Sequence, residues 1–87
     1  MKDYISEQKE KHQLYEDTLN LKREIYAKYP SGGTLHIVLD DGNLKNSYIE
    51  WCIKQIDKLD DDKELFLKCA NNMLQMTQTQ RLKLYKA

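Results

Sequence analysis

The sequence has little glycine, proline or cysteine, and neither sign of charge is in excess. Its 87 residues include three glycines, one proline and two cysteines, with 14 basic and 14 acidic side chains. This composition excludes collagen-like and linker-like chains, and the zero net charge removes the simplest argument for nucleic-acid binding. No apolar run approaches the roughly 20 residues of a membrane span, and residues 1–11 lack the apolar segment of a signal peptide. We therefore expect a soluble, cytoplasmic protein with one small domain over residues 1–87.

The two cysteines, Cys52 and Cys69, lie in stretches whose apolar residues have helical spacing. This setting predicts buried free thiols, since neither a zinc-type C-x-x-C spacing nor a secreted disulfide scaffold is present. A chain of this length buries only about 60 to 65% of its unfolded surface, so its core is thin. Self-association would cover more apolar surface, and we expect a homodimer or a higher homo-oligomer.

The first segment predicts one long helix over residues 3–29, which Pro30 ends. Its apolar stripe has a spacing of three to four residues and consists of Leu14, Thr18, Leu21, Ile25 and Tyr29, with Tyr15, Leu19 and Tyr26 alongside. A helix of about 26 residues is roughly 39 Å long, which exceeds the roughly 30 Å diameter of a domain this small. Because residues 6–13 have almost no apolar face, we expect residues 1–13 to protrude from the domain or to fray.

The middle segment has a different pattern. Residues 34–39 are apolar and rich in β-branched side chains, with glycines before them and the turn-forming residues 40–43 after them. This pattern predicts one short β-strand or hairpin at about 34–45.

The remaining chain predicts two helices and a short C-terminal helix, so the expected fold class is mainly α. Ser47 and Glu50 have the spacing of a capping box, and residues 60–62 place three aspartates before the next helix. Thr77 and Gln80 have a spacing similar to that of a capping box and predict the start of the short C-terminal helix. The expected apolar faces are Ile49, Cys52, Ile53, Ile56 and Leu59, and then Leu65, Phe66, Cys69, Ala70, Met73 and Leu74. The short C-terminal helix carries Leu82 and Tyr85.

Charge is unevenly distributed along the chain. Residues 30–62 carry seven acidic and three basic side chains, whereas residues 63–87 carry five basic and one acidic. The basic end could fold against the acidic middle, or Lys68, Arg81, Lys83 and Lys86 could form a patch for a phosphate-bearing ligand.

The densest group of polar residues lies in and after the 32–43 stretch, and it defines the candidate ligand-binding site. Two glycines could direct backbone amides at an anion, four polar side chains could bind polar groups, and two aromatic rings could stack on a base. These residues are Gly32, Gly33, His36, Asp40, Asp41, Asn43, Tyr48 and Trp51. The same residues could instead serve a helix-to-strand connection, a turn and core packing.

Catalysis, metal binding and a cofactor are not predicted. The acidic residues at 40–43 lack the spacing of an EF-hand, and no phosphate-binding lysine follows the glycines. No serine or cysteine has the setting of an activated nucleophile, so we do not expect an enzyme.

The stretch Gly-Gly-x-Leu-His-Ile-Val-Leu-Asp-Asp-Gly-Asn at 32–43, followed by Ile49-x-Trp51-Cys52, resembles a group of short phage and prophage proteins without an assigned activity. The resemblance implies an accessory protein made inside an infected bacterium, where such proteins often counter host defence. Two hypotheses follow. The protein sequesters a nucleotide-like or other small anionic ligand, or its helices bind and inhibit a host or phage protein. Neither a membrane nor a specific nucleic-acid sequence is an expected partner.

Overall fold

The computed structural model describes residues 3–31, 45–58 and 62–87, and within them every regular element is a helix. The four helices are α1 (Tyr4–Lys28), α2 (Asn46–Ile56), α3 (Lys63–Leu74) and α4 (Gln78–Lys86). The mainly α fold class is therefore confirmed. The strand or hairpin predicted at about 34–45 lies outside the described residues, apart from Lys45, which is the N-cap of α2.

Helix α1 has nearly the bounds that the sequence predicts. The Asp3 carboxylate accepts a 2.7 Å hydrogen bond from the Ser6 amide, and the Tyr29 amide donates the last helical bond to Ile25. Residues 4–13 are helical and exposed, and burial along α1 begins only at Leu14. The first ten residues of the helix therefore obtain little stabilisation from the core.

The predicted cap of α2 is wrong, whereas α3 begins, as predicted, directly after the three aspartates at 60–62. Helix α2 begins at Asn46, one residue before the expected cap Ser47, and no side chain caps it. Helix α3 begins after Asp62, whose backbone is left-handed at φ 44° and ψ 25° and whose carboxylate does not cap the helix. That carboxylate instead accepts a 2.8 Å hydrogen bond from the Tyr29 hydroxyl. At Asp62 the carboxylate thus binds a residue 33 positions away in the sequence and not the amides of its own helix.

The structure confirms the predicted start of α4, and the buried face of this helix differs by one residue from the apolar pair Leu82 and Tyr85. Thr77 and Gln80 form a complete capping box. Arg81 and Leu84 are buried, whereas Leu82 is half-buried and Tyr85 is exposed. The two pairs have the same three-residue spacing but differ by one residue, which rotates the face of the helix by about 100°.

The core is formed mainly by α1, α2 and α3, with α3 packed against both of the others. Its largest fully buried apolar side chains are Ile25, Ile49, Ile56, Met73 and Leu84. Cys52 and Cys69 are buried free thiols, as expected. Burial raises the pKa of Cys69 to about 12, against the opposing effect of the nearby Lys22 ammonium.

Two buried cationic side chains, Lys22 and Arg81, donate hydrogen bonds to carbonyls at the C-terminal ends of helices. The sequence did not indicate this role for either residue. The Lys22 ammonium donates a 2.7 Å hydrogen bond to the Leu84 carbonyl in the last turn of α4. Arg81 Nε donates a 2.9 Å hydrogen bond to the Met73 carbonyl in the last turn of α3. The last carbonyls of a helix have no partner inside it, and these side chains add a charged donor to carbonyls that also accept backbone bonds from the amides of Ala87 and Met76.

Candidate functional site

The structure places only two of the eight predicted site residues. Tyr48 and Trp51 lie on α2 and are brought together there. The other six fall outside the described residues: Gly32, Gly33, His36, Asp40, Asp41 and Asn43. The candidate site that the structure describes is therefore built on α2.

Tyr48 and Trp51 form an exposed aromatic pair because the buried face of α2 points the other way. Ile49, Cys52 and Ile56 are almost fully buried and fix the orientation of the helix. Tyr48 and Trp51 remain 39% and 51% exposed, and their ring centroids are 5.8 Å apart at an interplanar angle of 50°. With Ser47 they line a shallow depression of about 300 Å³. Large apolar side chains are thus exposed on a helix that is firmly anchored to the core.

Two exposed lysines lie on the outward face of α2 and just beyond its end. At 100° per residue, Lys54 follows Trp51 on the side opposite the buried residues, and Lys58 lies in the turn after the helix ends at Ile56. Within the described part of the chain neither forms an ion pair, whereas the neighbouring Asp57 lies 3.1 Å from the Lys63 ammonium. We call Tyr48, Trp51, Lys54 and Lys58 the aromatic–basic ridge.

A tertiary contact fixes the first turn of this helix. The Arg81 guanidinium donates a hydrogen bond from Nη2 to the Asn46 side-chain oxygen, in addition to its bond to the Met73 carbonyl. Burial lowers the pKa of Arg81, but arginine stays charged at physiological pH. One side chain thereby joins α4, the end of α3 and the start of α2, two residues before Tyr48.

The same contact removes Arg81 from the predicted phosphate-binding patch. Arg81 is only 6% exposed and its guanidinium is engaged by backbone and amide oxygens. Lys68, Lys83 and Lys86 remain exposed. Without its only guanidinium, the patch loses the group best suited to bidentate binding of a phosphate.

A second surface feature lies between α1 and α3. It is an open cleft of about 750 Å³, with three half-buried leucines and a charged rim. The leucines are Leu21, Leu65 and Leu67, and the rim includes Glu24, Glu64 and Lys68. We call this feature the α1–α3 cleft. The sequence does not indicate this cleft, because Leu21 and Leu65 have the spacing of ordinary members of apolar stripes.

The charges at one end of the cleft are already paired. Lys63 is bound to Asp57, and Asp62 accepts from the Tyr29 hydroxyl with the Lys28 ammonium 3.9 Å away. Among the residues the structure describes, Glu24 and Glu64 have no basic group within 4.0 Å. The cleft therefore offers an apolar floor beside two unpaired carboxylates.

The cysteines do not form a nucleophilic site. Burial raises the pKa of both thiols, so the reactive thiolate of Cys52 or Cys69 is disfavoured at neutral pH. Across the described ranges, no three histidine, cysteine or acidic side chains are grouped as metal ligands would be.

Comparison of the chain with protein-family models, with curated proteins and with solved structures finds no match in any of the three. In the part of the chain that the structure describes, no helix is both long enough and apolar enough to cross a membrane.

Proposed function

We propose that this chain is a small phage-type accessory protein that works as a helical protein–protein interaction module, with Tyr48 and Trp51 as its anchors. The observation that carries the proposal is the exposed aromatic pair on the outward face of α2. Tryptophan and tyrosine are the residues most enriched among those that dominate binding energy at protein interfaces. The pair has the composition and the fixed geometry of such an anchor.

The shape of the surface supports a protein partner over a small ligand. Sites for small molecules are concave and bury most of the ligand. Tyr48 and Trp51 instead lie on a convex helix face beside a shallow depression of about 300 Å³. A protein partner can supply the missing concavity by enclosing the rings in a pocket of its own.

The accessory role is supported by the resemblance of residues 32–43 and 49–52 to short phage and prophage proteins. We propose that the partner is a host or phage protein that the module inhibits by covering its surface. This role requires binding only, and no catalytic residue or cofactor is assigned to it.

The second candidate function is sequestration of a small anionic ligand such as a nucleotide. The exposed Trp51 ring favours it, because a base can stack on an indole while nearby lysines bind phosphate. In this case the amides of Gly32 and Gly33 and the polar groups of His36, Asp40, Asp41 and Asn43 would complete the site.

The first candidate is tested with purified variants and quantitative capture. Tagged wild-type protein, the Tyr48→Ala/Trp51→Ala variant and a Tyr85→Ala control are incubated with bacterial lysate, and bound proteins are identified and then reconstituted pure for calorimetry. Tyr85 is the matched control because it is an exposed aromatic side chain, 48% accessible, on a different helix. We expect the double variant to weaken binding at least about tenfold, as loss of one interface anchor does, and the control to bind as the wild type does.

Equal binding by all three proteins would refute the role of the aromatic pair. The second candidate is tested in parallel with cyclic and linear nucleotides, by thermal shift. A rise in melting temperature that the Trp51→Ala change abolishes would replace the first proposal with the second.

A further inference from the structure

We infer that the aromatic–basic ridge of one copy of this chain docks into the α1–α3 cleft of a second copy. The chain thus carries both halves of a head-to-tail contact. The inference is independent of the proposed function, because it concerns the assembly of the purified protein alone.

The apolar parts of the two surfaces are complementary. The ridge presents the Trp51 and Tyr48 rings on a convex helix, and the cleft presents Leu21, Leu65 and Leu67 in a depression of about 750 Å³. The cleft is open to solvent, so an aromatic side chain of a second copy can lie against its leucines. Docking would remove apolar groups of both copies from water, which is the main favourable contribution to association.

The charges are complementary as well. The ridge carries Lys54 and Lys58, and the cleft rim carries Glu24 and Glu64. None of the four has an oppositely charged group within 4.0 Å among the described residues. Lys68 also lies on the rim and reduces its negative potential without cancelling it. Opposite charges across an interface set the orientation of the partners and accelerate their encounter.

The positions of the two surfaces determine the kind of assembly. The ridge lies on the outward side of α2, whereas the cleft lies between α1 and α3, so each copy uses two different faces. Such a heterologous contact produces a ring if it closes and a longer oligomer if it does not. A contact made by one helix face is smaller than the roughly 800 Å² per partner of a standard stable interface, and we expect dissociation in the micromolar range.

The inference also predicts competition. If a protein partner binds Tyr48 and Trp51 as proposed above, it must displace the second copy from the ridge. Partner binding would then become weaker as the concentration of the free chain rises.

The test is sedimentation velocity of the full chain at roughly 5 to 500 µM, with folding checked by circular dichroism. We expect the wild type to gain mass with concentration and the Trp51→Ala and Lys54→Glu/Lys58→Glu variants to remain monomeric. Tyr85→Ala is the control for loss of an exposed aromatic side chain and should associate normally. Trp51 is the only tryptophan, so its fluorescence should shift to shorter wavelength as the wild type associates.

Variants with reversed charges test whether the ridge docks into the α1–α3 cleft. The Glu24→Lys/Glu64→Lys variant should be monomeric alone and should associate when mixed with Lys54→Glu/Lys58→Glu, because each supplies the charges that the other lacks. A wild type that stays monomeric over the whole range would overturn the inference and leave the proposed function untouched. Normal association of the Glu24→Lys/Glu64→Lys variant would show that the ridge docks elsewhere and would overturn it too.

Discussion

Replacing Arg81 by alanine should destabilise the protein far more than replacing an exposed residue of α4 such as Lys83. The side chain is 6% exposed and donates hydrogen bonds to the Met73 carbonyl and to the Asn46 side chain. Alanine removes both donors, so the Met73 carbonyl keeps its backbone bond from the Met76 amide but loses the charged donor, and the Asn46 side chain loses the guanidinium. The three helices that Arg81 joins would then lose these polar contacts.

The magnitude follows from the two hydrogen bonds. A bond to a charged group contributes about 1.5 to 3 kcal/mol, and water entering the vacated space restores part of it. We therefore expect a loss of about 3 kcal/mol in the free energy of unfolding. For a domain of this size, 1 kcal/mol corresponds to roughly 4 to 8 °C, so the melting temperature should fall by about 12 to 24 °C.

The assay is urea unfolding at neutral pH, followed by circular dichroism and by Trp51 fluorescence. The control is Lys83→Ala, an exposed residue on the same helix, whose effect should stay within about 0.5 kcal/mol. Asn46→Ala and the double variant complete a thermodynamic cycle, and the two changes should be non-additive because the residues share a hydrogen bond. If Arg81→Ala lowers the free energy of unfolding no more than Lys83→Ala does, Arg81 does not join the helices and the reasoning fails.

Two further predictions concern the core and the start of α4. Because burial raises the pKa of both thiols, and that of Cys69 to about 12, both should react with a disulfide reagent at about pH 8 more slowly in the native protein than in denaturant, Cys69 by at least about a hundredfold; equal rates measured by stopped-flow absorbance would contradict this. Thr77→Ala should remove the capping box of α4 and cost about 1 kcal/mol in the same unfolding assay, whereas Thr77→Ser should cost much less. Equal losses for the two substitutions would show that the hydroxyl does not cap the helix.

The sequence was sufficient to indicate the aromatic pair, whereas only the tertiary structure revealed the cleft. The sequence indicated Tyr48 and Trp51 because they fall beside the apolar stripe of their helix, and the structure confirms that they are exposed and in contact. It could not indicate the α1–α3 cleft, because the floor residues Leu21 and Leu65 look like ordinary members of apolar stripes. Whether such a residue is fully covered depends on the distance between two helices, which no single stripe determines.

The amino-acid sequence by itself determined that this protein is mainly α and where its helices lie. The apolar spacing of α1, the stop at Pro30 and the capping box at Thr77 act over a few residues and are therefore readable locally. Only the tertiary structure decided that Arg81 and not Tyr85 is buried, and that Asp62 binds Tyr29 instead of capping α3. A buried cation is stable only where a distant carbonyl or amide accepts its hydrogen bonds, and the packing of the helices supplies those partners.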